Sequence, residues 1–218
     1  MERNSTLKSS LGKLLRALCD LMILNVLWAI CSLPVLTVGP ATSALFNIEL
    51  KITKDEPVST IKEFFSAFKD NFKQAFVLGI IAIFATAVFW ADITFALAQE
   101  GSGRTLYIIL SSVVGVLLLI FVTFAFPLQA RYENTLKGCI INALKLAFVA
   151  PGKTILMWII YAIPILIILT DPYTILAYAG WAYVLFGISG PCYITSKILH
   201  KIFDKISGAK ETDESRES

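Results

Sequence analysis

Charge is scarce in this sequence. Only 16% of its 218 residues are charged, where a soluble globular chain carries roughly a quarter. With 56% hydrophobic residues and a mean hydropathy of +0.73, the chain needs an apolar solvent, and a bilayer supplies one. Histidine is nearly absent: His200 stands alone among Lys197, Lys201 and Lys205, which excludes a histidine metal cage. The four cysteines, Cys19, Cys31, Cys139 and Cys192, are scattered through apolar stretches without a C-x-x-C pair. They read as inert buried thiols, not as a disulfide framework or zinc site. No phosphate loop, H-E-x-x-H or G-x-S-x-G is present, nor a pair of aspartates or a Ser–His pair within an apolar run. These absences predict a non-enzyme with no cofactor. The lysines follow the ends of apolar runs and form no patch of their own, which argues against nucleic-acid binding.

What is abundant is apolar runs of membrane length. A bilayer core of roughly 30 Å takes about twenty helical residues at 1.5 Å each. Spans are predicted at about 18–38, 75–98, 105–128, 154–169 and 173–196. Turns at 99–104 and 170–172, broken by Gly101, Gly103 and Pro172, make two helical hairpins of the last four.

Orientation comes from the cations. Of 19 basic residues only Arg104 falls outside four clusters: the head before Leu18, 51–74, 129–153 and the tail from Lys197. Lys and Arg are retained on the cytoplasmic side, so both termini and both internal clusters are expected there. That requires an even number of crossings between residues 17 and 51, yet 18–50 is too short for two standard spans. The resolution is a helix break at Pro34, Gly39 and Pro40, followed by a short returning helix over 41–54. Ala41, Ala44, Leu45, Ile48 and Ile52 share one face of it, and Ser43, Asn47, Lys51 and Lys54 the other. A strand-like alternation over 47–53 is the weaker alternative. A cleavable signal peptide fits less well than a retained first span, because the apolar stretch is long for one.

Two amphipathic helices are predicted on the cytoplasmic side. The first, over 57–74, starts behind Asp55-Glu56-Pro57 and repeats Val58, Ile61, Phe65, Phe68 and Phe72 opposite Lys62, Lys69 and Lys73. Phe65, Phe68, Lys69 and Phe72 would suit a headgroup plane or a groove on a partner. The second, over 133–150, echoes it: Ala143-Leu144-Lys145 and Phe148 match Ala67-Phe68-Lys69 and Phe72. Residues 1–207 therefore read as one membrane domain, and 208–218 as a polar, disordered tail. The expected fold is an all-α polytopic bundle of five full spans plus the short return. The sequence carries no signal of oligomeric state.

Polar residues inside spans are default candidates for function. Asn25 lies mid-span, Asp20 near the start of the first span, Asp92 near the end of the second, and Asn47 and Glu49 on the return. Two readings stand for Asn25: packing glue to a neighbouring helix, or one wall of a polar cavity with Ser43 and Asn47 beside the Pro34–Pro40 break.

The run Leu24-Asn25-Val26-Leu27-Trp28, then Leu33-Pro34-Val35, Thr37-Val38-Gly39-Pro40-Ala41 and Ala44-Leu45, resembles the opening of the YesL-like bacterial membrane proteins. Phe64-Phe65, Phe68-Lys69 and Asn71-Phe72 match the same pattern. The resemblance covers about residues 10–205. It implies a membrane protein of Gram-positive type, from a family without an established activity and often encoded near carbohydrate ABC transporters and sensor kinases. The implied role is accessory to sugar uptake or sensing, with transporter subunits or a sensor kinase as partners besides the lipid bilayer. A self-contained small-solute carrier or channel, and a regulatory scaffold for a sensor kinase, are the alternatives.

Overall fold

The computed structural model describes residues 2–98, 103–131, 136–170 and 172–217. Among these residues the chain is all-α, without a strand. The order is α1 (Glu2–Cys31), a 3-10 turn (Val35–Thr37), α2 (Val38–Ile52), α3 (Thr60–Asp70), α4 (Phe72–Ala98) and α5 (Gly103–Arg131). There follow α6 (Leu136–Val149), α7 (Pro151–Thr170), α8 (Pro172–Phe186) and α9 (Ser189–Glu217).

The short helix α2 is the centre of the molecule. It packs against α1, α3, α4, α5 and α9, and Gly39, Pro40, Ala41, Ser43, Ala44, Leu45, Phe46, Ile48, Glu49, Leu50 and Ile52 are all buried. A helix apolar on most sides can only be an interior helix. Small residues bring it close to α4. A Cβ on Gly39 would run into the Ala75 carbonyl and lie 2.9 Å from the Gly79 Cα. Glycine on both sides lets the two backbones touch, as in membrane helix pairs.

Around this centre the exterior is apolar. Phe84 (70% exposed), Trp90 (71%), and many Ile, Leu and Val of α4, α5 and α7 face outward. So large an apolar surface is foreign to a soluble monomer; it is the exterior of a membrane protein. Leu11–Cys31, Phe72–Ala98 and Arg104–Arg131 are each long and apolar enough to cross a bilayer. Residues Leu136–Val149 and Pro151–Ile167 qualify jointly but meet at 103°, because Pro151 cannot continue the helix that precedes it.

Several expected boundaries move. The first helix ends at Cys31, not 38, since Pro34 stops it; the Thr37 hydroxyl donates to the carbonyls of Cys31 (2.6 Å) and Pro34 (2.7 Å) and closes the turn. The helix after Asp55-Glu56-Pro57 begins only at Thr60, because Asp55 takes a left-handed φ of 57° and leaves an extended link. Residues 173–196 are not one helix: the run breaks at Gly187–Ile188 into α8 and α9. The backbone from 208 to 217 continues α9 where a disordered tail was expected; Ala209, Lys210, Glu211 and Glu214 are good helix formers. Residues 99–102 of the first hairpin turn and 171 of the second lie outside the described residues, as do 132–135, which include the first three positions of the second predicted amphipathic helix. The arms α4 and α5 pack along one another, as do α7 and α8. α3–α4 and α6–α7 repeat one pattern, a short helix leading into a long apolar one, with Ala67 and Ala143 buried at matching positions.

Candidate functional site

The break between α8 and α9 strands backbone groups, since a helix end leaves carbonyls and a helix start leaves N–H groups without partners. Asn25, 4% exposed in the middle of α1, serves both. Its Oδ1 accepts from the N–H of Ile188 and of Ser189, each at 3.0 Å. Its Nδ2 donates to the Val184 carbonyl at 2.7 Å and, more weakly, to that of Tyr183 at 3.4 Å. Every donor and acceptor of the amide is engaged. Gly187 makes the break possible, because a Cβ there would lie 2.5 Å from the Tyr183 carbonyl oxygen. Pro191 sits in the first turn of α9, where its missing N–H costs nothing.

Asn47 does similar work elsewhere. Its Nδ2 donates at 2.8 Å to the carbonyl of Ala130, in the last turn of α5. Ser43 is fully buried and its hydroxyl has no partner. Asn25, Ser43 and Asn47 thus share no partner: the first closes on α8 and α9, the second on nothing, the third on α5. For Asn25 the structure shows bonding to a neighbouring element, in a more demanding form than generic packing, because it replaces a missing turn of helix. Other polar residues are also turned inward. Trp28 Nε1 donates to Thr42 Oγ1 (3.0 Å), Gln129 Nε2 to Gln74 Oε1 (2.8 Å), and Trp158 Nε1 to Thr123 Oγ1 (2.9 Å).

The most unusual group is one that sequence reasoning named among the polar residues of the return without assigning it to the candidate cavity. Glu49 of α2 is wholly enclosed. Its Oε2 accepts from the Ser196 hydroxyl of α9 at 3.2 Å, and its Oε1 has no hydrogen-bond partner. Around it stand the Tyr161 hydroxyl of α7, 2.8 Å from Thr195 Oγ1, and the Cys192 thiol. A signal existed: Glu49 follows Leu45 by four and precedes Ile52 by three, which puts it on the apolar face of α2.

At one end of the bundle, polar contacts gather α1, α2 and α3. Lys13 pairs with Asp55 (3.1 Å), Thr60 Oγ1 donates to Asp20 Oδ1 (2.6 Å), and Lys51 pairs with Glu63 (2.7 Å). Glu63 also accepts from the Ser59 N–H at 2.7 Å, capping the start of α3. The Lys51 hydrogen bond, then that of Ser59, hold the Glu63 carboxyl below the usual carboxylate range. α3 buries Thr60, Phe64 and Ala67 and leaves Ile61 (54%) and Phe65 (41%) exposed beside Lys62 and Lys69. Rings then run in contact from Phe64 through Phe68 and Phe72 to Phe76.

Residues 21–93 match the family model described as a protein of unknown function, DUF624. Over 143 residues, 63% of this chain, the sequence is 29% identical to the uncharacterized protein YesL of Bacillus subtilis (strain 168). The chain is similar to YesL over this stretch. It spans 66% of that relative's length, and no solved structure matches it. The stretch that matches the family model holds Asn25, Gly39, Ser43, Asn47, Glu49 and Gly79. The groups that Asn25 and Glu49 bond to, on α8 and α9, lie beyond it. No cluster of metal-ligating side chains occurs among the described residues.

Proposed function

We propose that this YesL-like chain is a non-enzymatic, multi-pass protein of the bacterial plasma membrane that serves as an accessory component of carbohydrate uptake or sensing. One observation carries the accessory reading over the carrier reading. The amides of Asn25 and Asn47 close on helix ends of the same chain, while α3 holds an apolar edge, Ile61 and Phe65, open beside Lys62 and Lys69. A carrier would need polar groups turned toward a solute path. An accessory subunit needs a firm core and a face for its partner, here a transporter subunit or a sensor kinase.

The topology belongs to the same reading. α1, α4, α5, α7 and α8–α9 together make five passes, α2 is the short return, and α3, α6 and both termini are cytoplasmic. The clustering of Lys and Arg supports this, as do the contacts that hold the start of α1 beside α3.

Two measurements test it. In a chain whose native cysteines are replaced, Thr105→Cys should react with an impermeant maleimide on intact cells, and Ser59→Cys only after permeabilisation. Reaction of Ser59→Cys on intact cells refutes the topology. Tagged protein purified from native membranes should bring a sugar permease, its ATPase or a sensor kinase in fixed ratio, and Phe65→Glu should release it. Recovery of the chain alone defeats the accessory role.

A further inference from the structure

Among the residues whose side chains the structure describes, no Asp, Glu, Lys or Arg other than Glu49 is buried. An enclosed carboxylate is tolerated only when it is paired and fully hydrogen-bonded, and Glu49 is neither. One oxygen has a single donor, Ser196, and the other has none. The cations nearest in sequence are committed elsewhere, Lys51 to Glu63 and Lys54 to Glu56, and Lys13 of α1 pairs with Asp55. Of the elements packed on α2, α1 turns Asp20 to Thr60, α3 turns Glu63 to Lys51, and α5 lays Arg131 over the Phe203 ring. α4 buries only Ala75, Leu78, Gly79, Ala82 and Ala96. The titratable groups within electrostatic reach are Cys192 of α9 and, from α7, Tyr161, and neither brings a positive charge.

The ligand that neutralises this group must also be very small. Glu49 lines none of the cavities of about 390, 330 and 270 Å³ that border α7, α8 and α9. A metal cation gathers about six or more oxygens, whereas here a single oxygen is open. A proton needs no cavity. We propose that Glu49 is a proton-binding site: its carboxylate takes one proton from water to become the neutral acid in the packed arrangement, and returning that proton to water loosens α9 from α2.

Infrared difference spectroscopy on the full chain in lipid vesicles tests this. At neutral pH the protein should show the isotope-sensitive C=O stretch of a protonated carboxylic acid, absent from Glu49→Gln and unaffected by sodium. Ser196→Ala, which removes the hydrogen bond to the same carboxyl, should shift that band, so the assignment survives if Glu49→Gln fails to fold. In thermal unfolding, the folded state holds a proton that the unfolded glutamate gives up above about pH 4.3. Wild-type stability at this site therefore falls as pH rises, and the midpoint of Glu49→Gln should gain on that of wild type. No carboxylic acid band at neutral pH, a band that neither variant alters, or its loss on adding sodium at fixed pH overturns the proposal.

Discussion

Asn25 shows how one side chain can stand in for a turn of helix. Replacing it with leucine strands the N–H groups of Ile188 and Ser189 and the carbonyl of Val184 at the α8–α9 break, and each buried unsatisfied group costs about 1–3 kcal/mol. Partial rearrangement leaves an expected loss of about 2–4 kcal/mol for Asn25→Leu, read as a lowered unfolding midpoint in detergent. Asn25→Asp should also destabilise, because a carboxylate accepts from Ile188 and Ser189 but cannot donate to Val184. A second residue-scale test lies at the α2–α4 crossing. Gly79→Ala adds a methyl facing Gly39, whose Cα lies 3.0 Å away, and overpacking of this kind costs about 1–3 kcal/mol. The same thermal assay should register it, whereas alanine at Gly152, which meets nothing within 4 Å, should not. Asn25 was legible in the sequence as an amide inside an apolar run. Its partners were not, because Ile188 and Ser189 looked like the interior of a continuous span. Glu49 was legible as a member of α2, but only packing on all sides turns an amphipathic face into full enclosure.

For the elements, hydrophobic period gave helix type reliably and facing poorly. In α3 the pattern grouped Ile61, Phe65 and Phe68, yet the most buried ring is Phe64, one residue over. Four phenylalanines within nine positions leave the face ambiguous until Thr60 meets Asp20 and Lys51 meets Glu63. That pair also sets a pH response. Glu63 is held below its ordinary range by Lys51 and Ser59, so the folded state favours the carboxylate more than the unfolded state does. Its contribution is present above the unfolded value, about 4.3, and is lost as pH falls through the lower folded value. Acidification should therefore lower the protection factors of the α3 amides, measured against the intrinsic exchange rate at each pH, and Glu63→Gln should show low protection at neutral pH with little further change on acidification.

At the scale of the whole molecule, the all-α membrane character was plain from composition, and the long helices α4 and α5 from their uninterrupted apolar runs. The double break was only half visible. Pro34 and Pro40 announced the first, while the second hides in Gly187 and depends on an amide far away in sequence. That separation has a consequence for biosynthesis. Asn25 is translated 163 residues before Ile188, and Glu49 147 residues before Ser196. At about 5–20 residues per second, the amide waits roughly 8–30 s for its partners. Throughout that interval the ribosome-bound chain carries polar groups that only its last two helices can satisfy, so a transcript cut short before codon 183 would yield a polypeptide marked for membrane quality control by the same residues that stabilise the finished one.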